Sequence, residues 1–423
     1  MTRRFPVGPL VATLAVQTLA TAAAYSIPAV APSVARDLGV NPALIGLYIS
    51  TVYGVGILSA IFSPRFVQSY GAVRASQAVL VATLAMLATA AAGSITAVAL
   101  SAVLMGVAYG ATAPASTHLL VPQTPREHVN LVLSLRQIGV PLAGMLAGLV
   151  MPPLTLRWGW QPALIAQMLP VLVLGVALEM VRQSWDAPHA TGSQAPTGLL
   201  GPLRLLVDAP ALRRLSFAAF VYSGLQLCFI AFMTTQLTTV AGMDLVQAGR
   251  ILAAYQIAGI VARPIWGWLA DHVLAARWLL ALQGVIMCGA ALFAAQFGPA
   301  WPGWLVVLVC ASAGATASGF TGIAYGEYAR LGGERRIEAT GLGAASMFGG
   351  VMVLPTLMSI AVTASGSYLF AYSAMGLLAL VSGGLLAFRP TRPPPCRGEP
   401  HVRPKGWRLQ PSATIRRLFG GKP

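Results

Sequence analysis

Charge is what this sequence has least of. Only 9% of its 423 residues are Asp, Glu, Lys or Arg, against roughly 25% in a soluble globular domain. Acidic residues are the scarcest, 11 beside 27 basic ones. With 57% hydrophobic residues and a mean hydropathy of +0.73, water is not the main solvent of this chain. Cysteine is nearly missing too. Cys228, Cys288, Cys310 and Cys396 form no close pair, so neither a disulfide framework nor a zinc site is indicated. There is no Gly-x-x-x-x-Gly-Lys-Ser/Thr loop and no soluble stretch long enough to hold a nucleotide, which removes an ATP-driven pump. No His-Glu-x-x-His or paired-aspartate cluster supports a membrane-embedded enzyme, and no cofactor is implied.

What is there is a series of apolar runs of about 20 residues, the length an α-helix needs to cross the hydrocarbon core. Breaks at Pro, Gly and charge clusters place about twelve of them, at roughly 9–30, 43–62, 75–94, 97–120, 129–152, 161–181, 215–239, 246–269, 278–297, 304–328, 338–362 and 368–388. The runs are continuous, without the alternation of lipid-facing strands, so the expected fold class is an all-α membrane protein.

The net charge of +16 is explained by topology and not by nucleic acid. Basic residues such as Arg3, Arg4, Arg65, Arg74, Arg126, Arg182, Arg213, Arg214, Arg277, Arg330, Arg335 and Arg336 fall on one side, and Arg36, Arg157 and Arg250 on the other. By the positive-inside rule both termini are expected in the cytoplasm, in an inner membrane. Arg3 and Arg4 ahead of an apolar run ending near Ala22 resemble a cleavable signal peptide. That reading is set aside, because eleven more spans follow and the first aligns with the seventh.

A polar stretch rich in Pro, Gly, Ser and charge interrupts the pattern once, at 182–214, and reads as a cytoplasmic linker. It separates six spans in 1–181 from six in 215–388, and a basic tail follows at 389–423. The halves echo one another: Leu38-Gly39 and Ile45-Gly46 match Ala241-Gly242 and Ala248-Gly249, and Tyr109-Gly110 matches Ser318-Gly319. Two six-helix bundles related about the membrane normal would share a cavity near the midplane.

The loop after the eighth span, Arg263-Pro-Ile-Trp-Gly267-Trp-Leu-Ala-Asp271-His272, resembles the Gly-x-Leu-Ala-Asp-Arg signature of the major facilitator superfamily. Gly139-Val-Pro141-Leu-Ala-Gly144, with Gly148 a turn on, is similar to its glycine and proline motif in the fifth span. With the six-plus-six layout, the resemblance covers about residues 5–390. It implies a secondary transporter working by alternating access, with a small-molecule substrate, the lipid bilayer, a coupling ion (H+ or Na+) and a monomeric chain. It also implies gating roles for Gly267 and Asp271, with Asp271 meeting the start of the fifth span near Arg126. The first-half counterpart departs from the pattern, with Gln68 and Ser69 where the family carries an aspartate and a basic residue. Residues 97–117 hold no match for the family's arginine of the fourth span.

An ionisable group in hydrocarbon costs about 2.5–3.5 kcal/mol and calls for a reason. Arg136 lies about nine residues, or roughly 13 Å, into its span, too deep for easy snorkelling, and is the expected substrate ligand. The alternative pairs it with Glu327 or a backbone carbonyl in a cytoplasmic gate. Arg263 reaches either the headgroups or the pore. Gln17, Tyr25, Tyr222, Gln226, Tyr255 and Gln256 either line the cavity or bond neighbouring helices. Deep charges lean positive, which suits an anionic solute such as a small carboxylate. The competing functions are a transporter-fold sensor and a membrane enzyme, neither of which moves solute.

Overall fold

In lipid a backbone N–H or C=O has no water to bond, so each apolar run closes its hydrogen bonds within itself as a helix. The computed structural model describes residues 5–40, 45–186, 201–243 and 245–387. Among them, twelve long helical legs follow in order. They are α1 Val7–Ala29, α2 Ile45–Tyr70, α3 Ala72–Ala91, α4 Ile95–Gln123, α5 Val129–Arg136 continued by Gly139–Trp158, and α6 Trp160–Trp185. Then come α7 Pro210–Thr239, α8 Leu245–His272, α9 Ala276–Ala294, α10 Gly303–Ala313 continued through a π turn Gly314–Ser318 to Thr321–Gly332, α11 Arg336–Ser365 and α12 Tyr368–Ala387. Ten segments are long and apolar enough to cross a membrane by length and composition. One of these, Gly303–Ser365, folds as two legs, α10 and α11. α8 lies outside the ten and is long enough to cross, but it carries Arg250, Arg263 and Asp271.

The expected boundaries hold to within six residues, α5 running past Pro152 and Pro153 to Trp158, with one larger departure. α2 was expected to stop near residue 62, ahead of Pro64, yet the helix runs through Pro64 to Tyr70. A proline forfeits one ladder bond, and the loss is tolerated in membrane helices where neighbours pack closely. Here α11 supplies that neighbour: a Cβ built on Gly341 would lie 2.8 Å from the Pro64 ring. The linker narrows too, since α6 extends to Trp185, a short helix forms at Gly201–Asp208 and α7 begins at Pro210. Residues 187–200 and the tail lie outside the described residues.

The two halves are assembled alike. α1 packs on α5 as α7 packs on α11, α2 on α4 as α8 on α10, and α3 on α6 as α9 on α12. The sequence echoes fall at equivalent places. Gly39 (φ 65°) and Gly242 (φ 70°) both adopt the left-handed turn that other residues enter at a cost. Gly110 brings α4 against Ser59 and Ala60 of α2, and Gly319 brings α10 against Trp266 of α8. The halves meet along two seams that are themselves equivalent, α2 with α11 and α5 with α8.

We call the end carrying Tyr70, Gln123 and His272 the basic face. There Asp186, at the end of α6, accepts the N–H groups of Val73 (3.0 Å) and Arg74 (3.2 Å), capping the positive start of α3. Gln68, the uncharged member of the first-half motif, is exposed nearby.

Candidate functional site

Between the halves lies a cavity of about 110 Å³, walled by α1, α2, α4, α5, α7, α8, α10 and α11. Its size is well below the roughly 300–1,000 Å³ of pockets for drug-sized ligands. Two arginines, one from each half, line it: Arg136, 3% exposed, and Arg263, 1% exposed.

Arg136 stands where α5 is interrupted. The first piece of the helix ends on it, and the second begins at Gly139. Gly139 lets α5 approach α1 so closely that an added Cβ would sit 3.1 Å from Gln17 Cγ. That contact sets Gln17 beside the guanidinium. Arg136 donates through Nη1 to Gln137 Oε1 at 2.6 Å, and through Nη2 to Gln17 Oε1 at 2.5 Å and the Thr112 carbonyl at 3.1 Å. Its Nε has no partner among the described residues. Gln17 is itself steadied by donating to Thr21 Oγ1 at 2.7 Å.

Arg263 is held more loosely. Nη2 donates to Ser318 Oγ at 3.0 Å, while Nε and Nη1, both buried, have no partner among the described residues. Ser318 closes the π turn of α10, and the widened turn leaves the Ala315 carbonyl to accept from Trp266 Nε1 at 2.8 Å. Such bulges recur at functional sites. A buried N–H without an acceptor costs about 1–3 kcal/mol, more when charged, so the orphaned donors of both arginines mark where an acceptor belongs.

Of the residues expected in the site, Gln17, Tyr25, Arg136 and Gln226 line the cavity, and Arg263 joins them. Three do not line it. Tyr222 is fully buried and donates to the Leu280 carbonyl at 2.9 Å, which ties α7 to α9. Tyr255 is fully buried behind α7 and donates to the Gln226 carbonyl at 3.4 Å. Gln256 is half-buried. Sequence reasoning passed over Tyr53, Tyr109, Thr321, Tyr325 and Phe348 in the wall. Tyr109 stacks on Phe348 across the halves (centroids 5.3 Å, 10°), and Tyr53 meets Phe348 at 5.4 Å. The one advance signal was the place of Tyr109 in the internal repeat.

The residues expected to gate gather at the basic end. Asp271 accepts the backbone N–H of Asn130 (3.1 Å) and of Leu131 (2.8 Å) and the Asn130 side-chain amide (2.8 Å). Arg126 is exposed one turn earlier and takes no part in these bonds. A Cβ on Gly267 would lie 2.8 Å from the Asn130 carbonyl, so glycine sets the approach of α8 to α5. Glu327 does not reach Arg136 and instead takes Arg330, one turn along its own helix, at 2.5 Å. Arg250 is exposed at the opposite end. Buried side chains such as Arg136, Arg263, Thr321 and Tyr325 close the cavity toward the basic face. Tyr25, Tyr53, Val140, Leu227, Ile230 and Val351 are part-exposed on its other side, so it opens that way.

A helical bundle of two like halves around one closed-ended central cavity is the architecture of an alternating-access carrier. The family model for the Major Facilitator Superfamily matches residues 13–332 and 215–422, and the chain belongs to that superfamily of multi-pass secondary transporters. The "Probable nitrate/nitrite transporter NarK2" of Mycobacterium tuberculosis is 25% identical over 298 residues, covering 67% of this chain and 72% of that protein. The fold is similar to that of the Escherichia coli fucose:proton symporter FucP (TM-score 0.70, 15% identity, 92% of this chain and 100% of that one). It is also similar to that of the human organic anion transporter MFSD10 (TM-score 0.66, 16% identity, 90% and 100%).

Proposed function

We propose that this transporter carries a small anion across the inner membrane, with both termini in the cytoplasm and Arg136 and Arg263 holding the anionic group. The observation that carries the reading is the pair of buried guanidiniums with orphaned N–H donors in a cavity whose wall, among the described residues, includes no Asp or Glu. In a low-dielectric site such charge attracts an anion far more strongly than it would in water. The guanidinium fork also matches the two oxygens of a carboxylate or of an inorganic oxyanion. Anions are named for two of the relatives, nitrate and nitrite for the mycobacterial protein and organic anions for the human one. The latch residues Gly267 and Asp271, with Arg263 above them, close the cytoplasmic side in this reading.

The test is ligand-dependent stability of the purified protein against a panel of anions, neutral sugars and cations. A bound anion at a hundredfold excess over its Kd stabilises by about 2.7 kcal/mol, a readily measured rise in Tm. Stabilisation by sugars or cations alone would point to a different cargo.

A further inference from the structure

The cavity is graded in charge along the helices, and the apolar side chains on its uncharged side carry information about the cargo beyond its charge. Near the basic face the wall is charged and hydroxylated. Arg136 lies seven residues past Val129, Arg263 nine residues before His272 and Tyr325 seven residues before Gly332, which puts all three about 10–14 Å from their helix ends. Further from that face the wall carries no charge and gains aliphatic and aromatic side chains. Val140, Met347, Phe348, Val351, Leu227 and Ile230 stand about 16–30 Å from the basic ends of α5, α11 and α7 at the same rise. The polar groups at the same depth are the phenols of Tyr25, Tyr53 and Tyr109, with Thr112, Ser223 and Gln226. Five of the six apolar residues are part-exposed to the cavity mouth, so they meet whatever enters.

We propose that the substrate is an organic carboxylate with a compact apolar body, its head at Arg136 and Arg263 and its body against Leu227, Ile230, Phe348 and Val351, in preference to an inorganic oxyanion. The proposal rests on the anion reading above. A nitrate or nitrite ion seated on the arginines leaves the apolar layer facing water, whereas a hydrocarbon body removes that surface from water. Each buried methylene then tightens binding about three- to fourfold. The cavity of about 110 Å³ limits the body to a few carbons or one small ring.

The experiment measures equilibrium binding to the full-length protein in nanodiscs at constant ionic strength, using nitrate, nitrite, acetate, propionate, butyrate, isovalerate and benzoate. The expected result is weak binding of the inorganic ions and of acetate, with affinity rising about three- to fourfold per carbon until the cavity is full. Nitrate or nitrite binding as tightly as the best carboxylate, or a flat carboxylate series, overturns the proposal and leaves the anion reading standing. Binding by none of the anions overturns both. The Ile230→Thr and Val351→Thr variants put hydroxyls into the apolar layer and should flatten the series while acetate binding persists. A series that keeps its slope in the double variant means the tail gains its affinity from the bilayer, and this too overturns the assignment.

Discussion

Asp271 reaches across the seam and takes the N–H groups of Asn130 and Leu131 at 3.1 and 2.8 Å, so that the end of one half caps the opening turn of α5 in the other. A carboxylate at a helix start is favoured by the bonds it accepts and by the helix dipole. Since Gln68 is uncharged, the equivalent seam between α2 and α11 has no such latch from its own motif. Asp271→Asn should therefore weaken closure on this side, by about 1–2 kcal/mol, and slow transport several-fold while insertion is unaffected. Initial uptake rates in proteoliposomes, normalised to folded protein, test this. An unchanged rate removes Asp271 from the cycle.

Gly267 makes the same seam possible by sterics. A side chain there meets the Asn130 backbone, which has little room to yield, so Gly267→Val should cost the closed seam about 1–3 kcal/mol. The population should move toward opening on the basic face. Labelling of a Ser134→Cys reporter by a membrane-impermeant maleimide should rise about five- to 150-fold in the glycine variant, the equivalent of that energy. Equal labelling in both backgrounds would show that the approach of α8 does not set the gate.

How much of this was readable in advance differs between fold and site. The spans were legible because lipid forces the backbone into helices and leaves apolar length as the main variable. Pro64 misled because a break signal calibrated on water overlooks what close packing by Gly341 permits. Arg136 was legible from depth alone. Arg263 was underrated, although no carboxylate lies three or four residues from it, because its surroundings depend on a π turn in α10 that no local pattern announces. For Tyr222 and Tyr255, polar in apolar helices, a place in the cavity and a bond to a neighbouring helix were both open. Each bonds a carbonyl of a neighbouring leg, and the sequence does not say which way a helix is turned.

Glu327 and Arg136 offer a test of that rotation. Glu327 is occupied by Arg330, so it should not couple to Arg136. In a double-mutant cycle on anion affinity, Glu327→Gln and Arg136→Gln should be additive within about 0.5 kcal/mol, as for residues without shared partners. A coupling above about 1 kcal/mol would restore the gate pairing of these two residues.

The proposed orientation, with both termini in the cytoplasm, rests on the asymmetry of Lys and Arg among the loops. Reporter fusions at residue 195 and at the C-terminus should both be active in the cytoplasm and silent in the periplasm. A periplasmic signal from either one inverts the assignment of the basic face, and with it the side to which this cavity opens.

Arg136 carries the sharpest expectation for the site. Its guanidinium is fixed by Gln17, Gln137 and the Thr112 carbonyl, leaving Nε without a partner among the described residues. A lysine there keeps the charge but offers neither the fork nor the reach to satisfy both glutamines, so Arg136→Lys should weaken anion binding about tenfold or more. Arg136→Ala removes the charge and leaves two buried amides without their donor, so transport should fall to background. A loss of stability could produce the same loss of uptake, so Tm and the size-exclusion profile must first show that the variant is folded. Arg136→Gln supplies a neutral side chain able to bond Gln17 if alanine does not fold. The decisive measurement is anion binding to the folded variant. A gate residue can be removed while the solute still binds from the open side, whereas a ligand cannot. Wild-type affinity in folded Arg136→Ala or Arg136→Gln would show that Arg136 shapes the seam and does not hold the cargo.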